Sequence, residues 1–149
     1  MLPNPPLVLT LPARVSAPVL GVLLGLFVLR VVGQIVVATR ATQWLPPMAR
    51  WYSGLMPYRY LLPTQIAFVV FMTMVVSSVS GQFVPLGVGS PVAGAWLIWG
   101  SYVYALGMVV RAIRYAVARP ERRGVLIPIV FHFVLAAFVF VWGCALRQG

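Results

Sequence analysis

Four long apolar runs, at 18–38, 63–80, 91–110 and 125–146, alternate with short segments that hold most of the charged residues. Each run approaches or exceeds the roughly 20 residues a helix needs to cross a hydrocarbon layer about 30 Å thick. Three begin at a proline (Pro18, Pro63 and Pro91), and Pro128 falls in the first turn of the fourth. Proline suits a helix start, because the N–H it lacks has no intrahelical partner there and its φ is already near the helical value. Membrane strands would instead alternate polar and apolar residues over about ten positions. The pattern predicts an all-α integral membrane four-helix bundle, with a single transmembrane domain covering residues 1–149.

The arginines orient this bundle. Arg40, Arg50 and Arg59 lie between the first and second runs, and Arg111, Arg114, Arg119, Arg122 and Arg123 surround the turn between the third and fourth. These two regions share one side. Opposite them are only Arg14, Arg147 and the uncharged segment 81–90. Basic residues favour the cytoplasmic face, so the expected topology is N-out/C-out in the cell (inner) membrane. The first 16 residues lack the basic n-region of a signal peptide, and no convincing small-residue cleavage site follows. The first run is therefore read as a retained span.

The first cytoplasmic connection is long enough for structure of its own. Trp44, Met48, Trp51, Tyr52 and Leu55 recur at spacings of three and four, with Pro46 and Pro47 to open a helix and Gly54 to close it. Aromatics mixed with Arg50 and Arg59 suit a short interfacial helix lying in the headgroup plane. The simpler reading is an aromatic belt at the end of a span.

Composition narrows the chemistry. Of 149 residues, 62% are hydrophobic and 8% charged, whereas soluble domains run at roughly 45–50% apolar and about 25% charged. Every one of the 11 basic residues is arginine, aspartate is absent, and Glu121 is the sole acidic side chain. A net charge of +10 on helix ends at headgroup level points to anionic lipid headgroups and not to nucleic acid. With one His, one Cys and one Glu, a zinc site has too few ligands and paired-carboxylate hydrolysis has no second carboxylate. A nucleophilic triad has no aspartate, and no nucleotide-binding or zincin motif occurs. The chain is read as neither an enzyme nor a metalloprotein.

Helical spacing then sorts the unusual residues onto faces. In the first run, Gly21 and Gly25 form a small-xxx-small pair suited to close helix approach, with Arg30 and Gln34 on nearly the opposite face. In the third, Gly100, Tyr104, Gly107, Arg111 and Arg114 share a stripe, and in the fourth Pro128, His132, Ala136, Val139 and Gly143 do so. Stripes of small residues with embedded polar groups face a bundle interior, because lipid cannot satisfy them. Gly21, Gly25, Gly100 and Gly107 are the packing candidates.

Arg30 and His132 fall at similar depth, about 10 Å from the arginine-rich ends of their helices at 1.5 Å per residue. Glu121 sits among Arg119, Arg122 and Arg123, so Arg30 has no evident internal counter-ion. It is left to snorkel, to bond to carbonyls, or to meet an anion from lipid, ligand or another subunit.

Arg30, Gln34, Tyr104, Arg111, Arg114 and His132 form the candidate anion-binding set. For His132 the alternatives are an interhelical hydrogen bond, to Tyr104 or a serine of the second run, and one axial ligand of a tetrapyrrole. Arg111 and Arg114 also fit as simple headgroup anchors. The leading functional reading is a non-catalytic small subunit, assembly factor or scaffold of a membrane complex, partnered by other subunits or by its own copies. The alternative is a binder or carrier of an anionic lipid or polyprenyl phosphate at the inner leaflet.

Overall fold

The computed structural model describes residues 13–40, 44–45, 51, 58–82, 90–118 and 126–148. These residues form four long helices: α1 (Ala13–Thr39), α2 (Tyr58–Val79), α3 (Pro91–Ala118) and α4 (Leu126–Leu146). All four are long and apolar enough to cross a membrane, over Val15–Thr39, Arg59–Val79, Pro91–Val117 and Ile127–Leu146. Large apolar side chains such as Val22, Leu29, Val103 and Val117 point outward, as hydrocarbon-facing residues do.

Two helix starts differ from the sequence expectation. Pro18 and Pro63 lie inside α1 and α2, each five residues past the first helical position. Each therefore removes an N–H that a carbonyl four residues earlier would have used. The helix nevertheless extends back past it, leaving that carbonyl near a helix end. Pro91 does open α3: the N–H of Ala93 donates to Ser90 Oγ at 3.3 Å, so serine caps the helix with proline at its first position. The third span is also longer than its apolar run. It continues past Val110 to Ala118, because Arg111–Ala118 is rich in alanine and arginine, which favour helix whatever their hydropathy.

The close of α2 is fixed locally. Gly81 takes φ 73°, its N–H donates to the Ser78 carbonyl, and that of Gln82 donates to Ser77. This is the paired bonding that ends a helix on a left-handed residue, which glycine adopts without a side-chain clash.

The helices run up, down, up and down. Gly94 near the start of α3 meets Gly143 near the end of α4, and Tyr104 stacks on His132 further along the same pair. Phe71 of α2 and Trp142 of α4 meet edge to face at 5.6 Å. The α4 helix packs against both α1 and α3, and α1 also packs against α2. The buried core joins α1 (Leu20, Phe27, Val31), α2 (Met72, Val75) and α4 (Phe138, Val141). None of these core residues comes from α3, which docks on the flank of α4 and leaves a groove between itself and α2.

The predicted interfacial helix lies mostly outside the described residues; of residues 41–57 only Trp44, Leu45 and Trp51 are described. Trp44 is 95% exposed. Trp51 turns the other way: its carbonyl accepts from Gln34 Nε2 at 2.9 Å, and its ring covers Gly33 so closely that a Cβ there would stand 2.9 Å from it. The connection is thus pinned to α1 at Trp51.

Candidate functional site

A cavity of about 250 Å³ opens in the arginine-bearing half of the groove, bounded by all four helices and by Trp51. From α1 it receives Phe27 and Arg30; from α2, Thr64, Gln65 and Phe68; from α3, Tyr104 and Arg111; from α4, Pro128, Phe131 and His132. A second cavity of about 320 Å³ adjoins it and shares Phe68, Tyr104 and Leu135. Its other walls are Gly100, Ser101, Ala136 and Val139. The Ser101 hydroxyl is already donated to the Ile98 carbonyl at 2.7 Å. The first cavity is therefore polar and cationic, and the second apolar.

Arg30 is buried on the α1 side of this cavity. It is 7% exposed, and its guanidinium carbon lies 5.2 Å from the centroid of the Phe131 ring, where a ring face attracts a cation. Its Nε has no hydrogen-bond partner among the described residues. An arginine carries five N–H donors and no acceptor, so only a hydrogen-bond acceptor can complete it.

Arg111 enters from α3, with its guanidinium 5.6 Å from the centroid of the Tyr115 ring. Tyr104 and His132 stack with centroids 6.0 Å apart and planes 24° from parallel. The expected interhelical hydrogen bond from His132 is not what joins α3 and α4 here. Instead Nδ1–H donates within α4 to the Pro128 carbonyl, at 2.5 Å. A carbonyl only accepts, so Nδ1 carries the hydrogen, and the ring in its neutral form keeps a lone pair on Nε2.

Of the six candidate residues, Arg30, Tyr104, Arg111 and His132 line one cavity. Arg114 is exposed and does not line it, and Gln34, fully buried, does not line it either but holds Trp51. Glu121 lies outside the described residues. The α4 stripe sorts by depth: Pro128 and His132 wall the polar cavity, Ala136 and Val139 the apolar one.

Among the described residues, a Cβ built on Gly21, Gly25, Gly100 or Gly107 meets nothing within 4 Å, so these packing candidates stay open to a contact outside the chain and none sits at a close crossing of the described helices. The close crossing is between Gly94 and Gly143: a Cβ on Gly94 would stand 2.6 Å from the Gly143 carbonyl oxygen, and one on Gly143 2.9 Å from that of Gly94. Gly100 instead leaves open space in the wall of the apolar cavity.

Sequence reasoning missed Gln65. It is 4% exposed, lines the polar cavity, and neither Nε2 nor Oε1 has a partner among the described residues. The signal was present, since a lone glutamine follows Pro63 by two positions in an otherwise apolar run. Thr64 beside it is satisfied internally, its hydroxyl donating to the Tyr60 carbonyl at 2.8 Å.

Compared with known proteins, the chain matches no family model, no curated protein sequence and no solved structure.

Proposed function

We propose that this multi-pass membrane protein binds an anionic amphiphile, with the charged head in the polar cavity and the hydrocarbon tail along the apolar one. The observation that carries this reading is Arg30: a guanidinium buried inside a span, its Nε without a partner among the described residues, in a chain whose sole acidic side chain is Glu121. A charge at that depth costs roughly 2.5–3.5 kcal/mol to insert, and an anion at the same depth recovers much of it.

Arg111 adds a second guanidinium, and guanidinium forks match phosphate geometry. The adjoining apolar cavity favours a lipid over a free anion. Phe68, at the boundary of the two cavities, is 42% exposed near the middle of α2, so the groove opens towards hydrocarbon. The arginine-bearing end is taken as cytoplasmic in the cell membrane, which puts the head at the inner leaflet.

A role as a component of a larger membrane complex rests on the exposed apolar faces alone, and lipid covers such faces as readily as protein does. The cavity gives the amphiphile reading the specific support that the component reading lacks.

The test is retention of lipid by purified protein, read by native mass spectrometry after exchange into phosphatidylcholine mixed with phosphatidic acid or phosphatidylglycerol of the same chains. Preferential retention of the anionic lipids, lost in Arg30→Leu, is the expected result. Equal retention of anionic and zwitterionic lipids by the wild type overturns the proposal.

A further inference from the structure

Gln65 extends this reading from the charge of the ligand to the hydrogen-bonding character of its head. Arg30 and Arg111 can only donate, and a fully ionised phosphate can only accept, so those two partners complete each other. Gln65 does not fit that pairing. Its Nε2 can join the donors, but its Oε1 needs an N–H or O–H from elsewhere, and it has none among the described residues.

His132 offers a second acceptor, because its Nδ1–H is engaged with the Pro128 carbonyl and the ring in its neutral form carries a lone pair on Nε2. The comparison with Gln34 is instructive. There Nε2 is tied to the Trp51 carbonyl, and although Gln34 Oε1 also has no partner among the described residues, that side chain does not line the cavity. Gln65 is buried too, lines the polar cavity, and has neither of its amide atoms engaged among the described residues.

Resting on the amphiphile reading, we infer that the bound lipid is a phosphodiester whose headgroup also carries a free hydroxyl, as in a glycerol or other polyol head. The phosphate pairs with Arg30 and Arg111, and the hydroxyl donates to Gln65 Oε1. A buried acceptor left unmade is costly, whereas a partner of matching polarity recovers that cost. The site therefore discriminates between heads that have the same charge but differ in hydroxyl content.

The experiment compares three lipids with identical chains on the full-length protein: phosphatidylglycerol, phosphatidylmethanol, which is the same singly charged phosphodiester without a hydroxyl, and phosphatidylcholine. Retention is read by native mass spectrometry for the wild type, Gln65→Met and Gln65→Leu. The wild type is expected to prefer phosphatidylglycerol over phosphatidylmethanol by about tenfold, the scale of one buried hydrogen bond. Both Gln65 variants are expected to lose that preference while still favouring either anionic lipid over phosphatidylcholine.

Equal binding of the two anionic lipids by the wild type, both above phosphatidylcholine, overturns the hydroxyl inference and leaves the amphiphile reading standing. No anionic preference at all overturns both. The wild-type comparison decides the matter even if the variants fail to fold.

Discussion

The guanidinium of Arg30 lies over the ring of Phe131, its central carbon 5.2 Å from the ring centroid. Among the described residues Arg30 is the sole buried charged side chain, and it rests on an aromatic face contributed by another helix. The contact fixes where the charge sits without neutralising it.

Replacing Arg30 should therefore separate stability from ligand response. Arg30→Leu is expected to leave the lipid-free protein as stable as the wild type or more so, because an inserted charge is removed. It should also abolish the stabilisation given by anionic lipid, roughly 2–3 kcal/mol at a hundredfold excess over Kd. Thermal unfolding in detergent with and without phosphatidylglycerol measures both. A variant that loses stability but keeps the lipid response contradicts the assignment.

The tail cavity is expected to control chain dependence. Ala136 is buried and lines it, so Ala136→Leu fills part of the space a tail requires. Affinity for long-chain anionic lipid should fall by about tenfold or more, corresponding to at least 1.4 kcal/mol. Binding of a short-chain analogue with the same head should change little. Competition between the two lipids in native mass spectra reads the difference.

The glycines divide into two classes. Gly94→Ala and Gly143→Ala each push a methyl into a facing backbone carbonyl, and each is expected to cost about 1–3 kcal/mol of stability. Gly21→Ala, Gly25→Ala and Gly107→Ala meet open space and are expected to be neutral or to stabilise by up to about 1 kcal/mol through helix propensity. Melting temperatures of the five variants test the contrast.

Trp51 should respond to Gln34. Gln34→Leu removes the donor to the Trp51 carbonyl, at an expected cost of about 1–3 kcal/mol. It should also raise the susceptibility of the connection around Trp51 to proteolysis. Gly33→Leu is expected to have the same effect from the other side, because the ring of Trp51 occupies the space its side chain would need.

The proposed orientation has its own test. In a Cys144→Ser background, Thr39→Cys and Gln82→Cys place thiols on exposed residues at opposite ends of the bundle. A membrane-impermeant maleimide added to intact cells is expected to label Gln82→Cys and spare Thr39→Cys. The reverse pattern inverts the orientation of the site.

The four apolar helices are legible in the order of residues alone, because the length and hydropathy of a span are local properties that need no knowledge of its neighbours. So is the inward stripe of α4, where Pro128, His132, Ala136 and Gly143 recur on one helical face. Tertiary structure alone decided which faces meet. Helices that are apolar nearly all round carry little periodic signal, so the rotation of α1 that leaves Gly21 and Gly25 without a close neighbour could not be read from spacing. Nor could the crossing of Gly94 with Gly143, the docking of α3 on the flank of α4, or the arrival of Gln65 in the same cavity as Arg30. These depend on shape complementarity between helices distant in the chain, and that complementarity leaves the cavity that both side chains line.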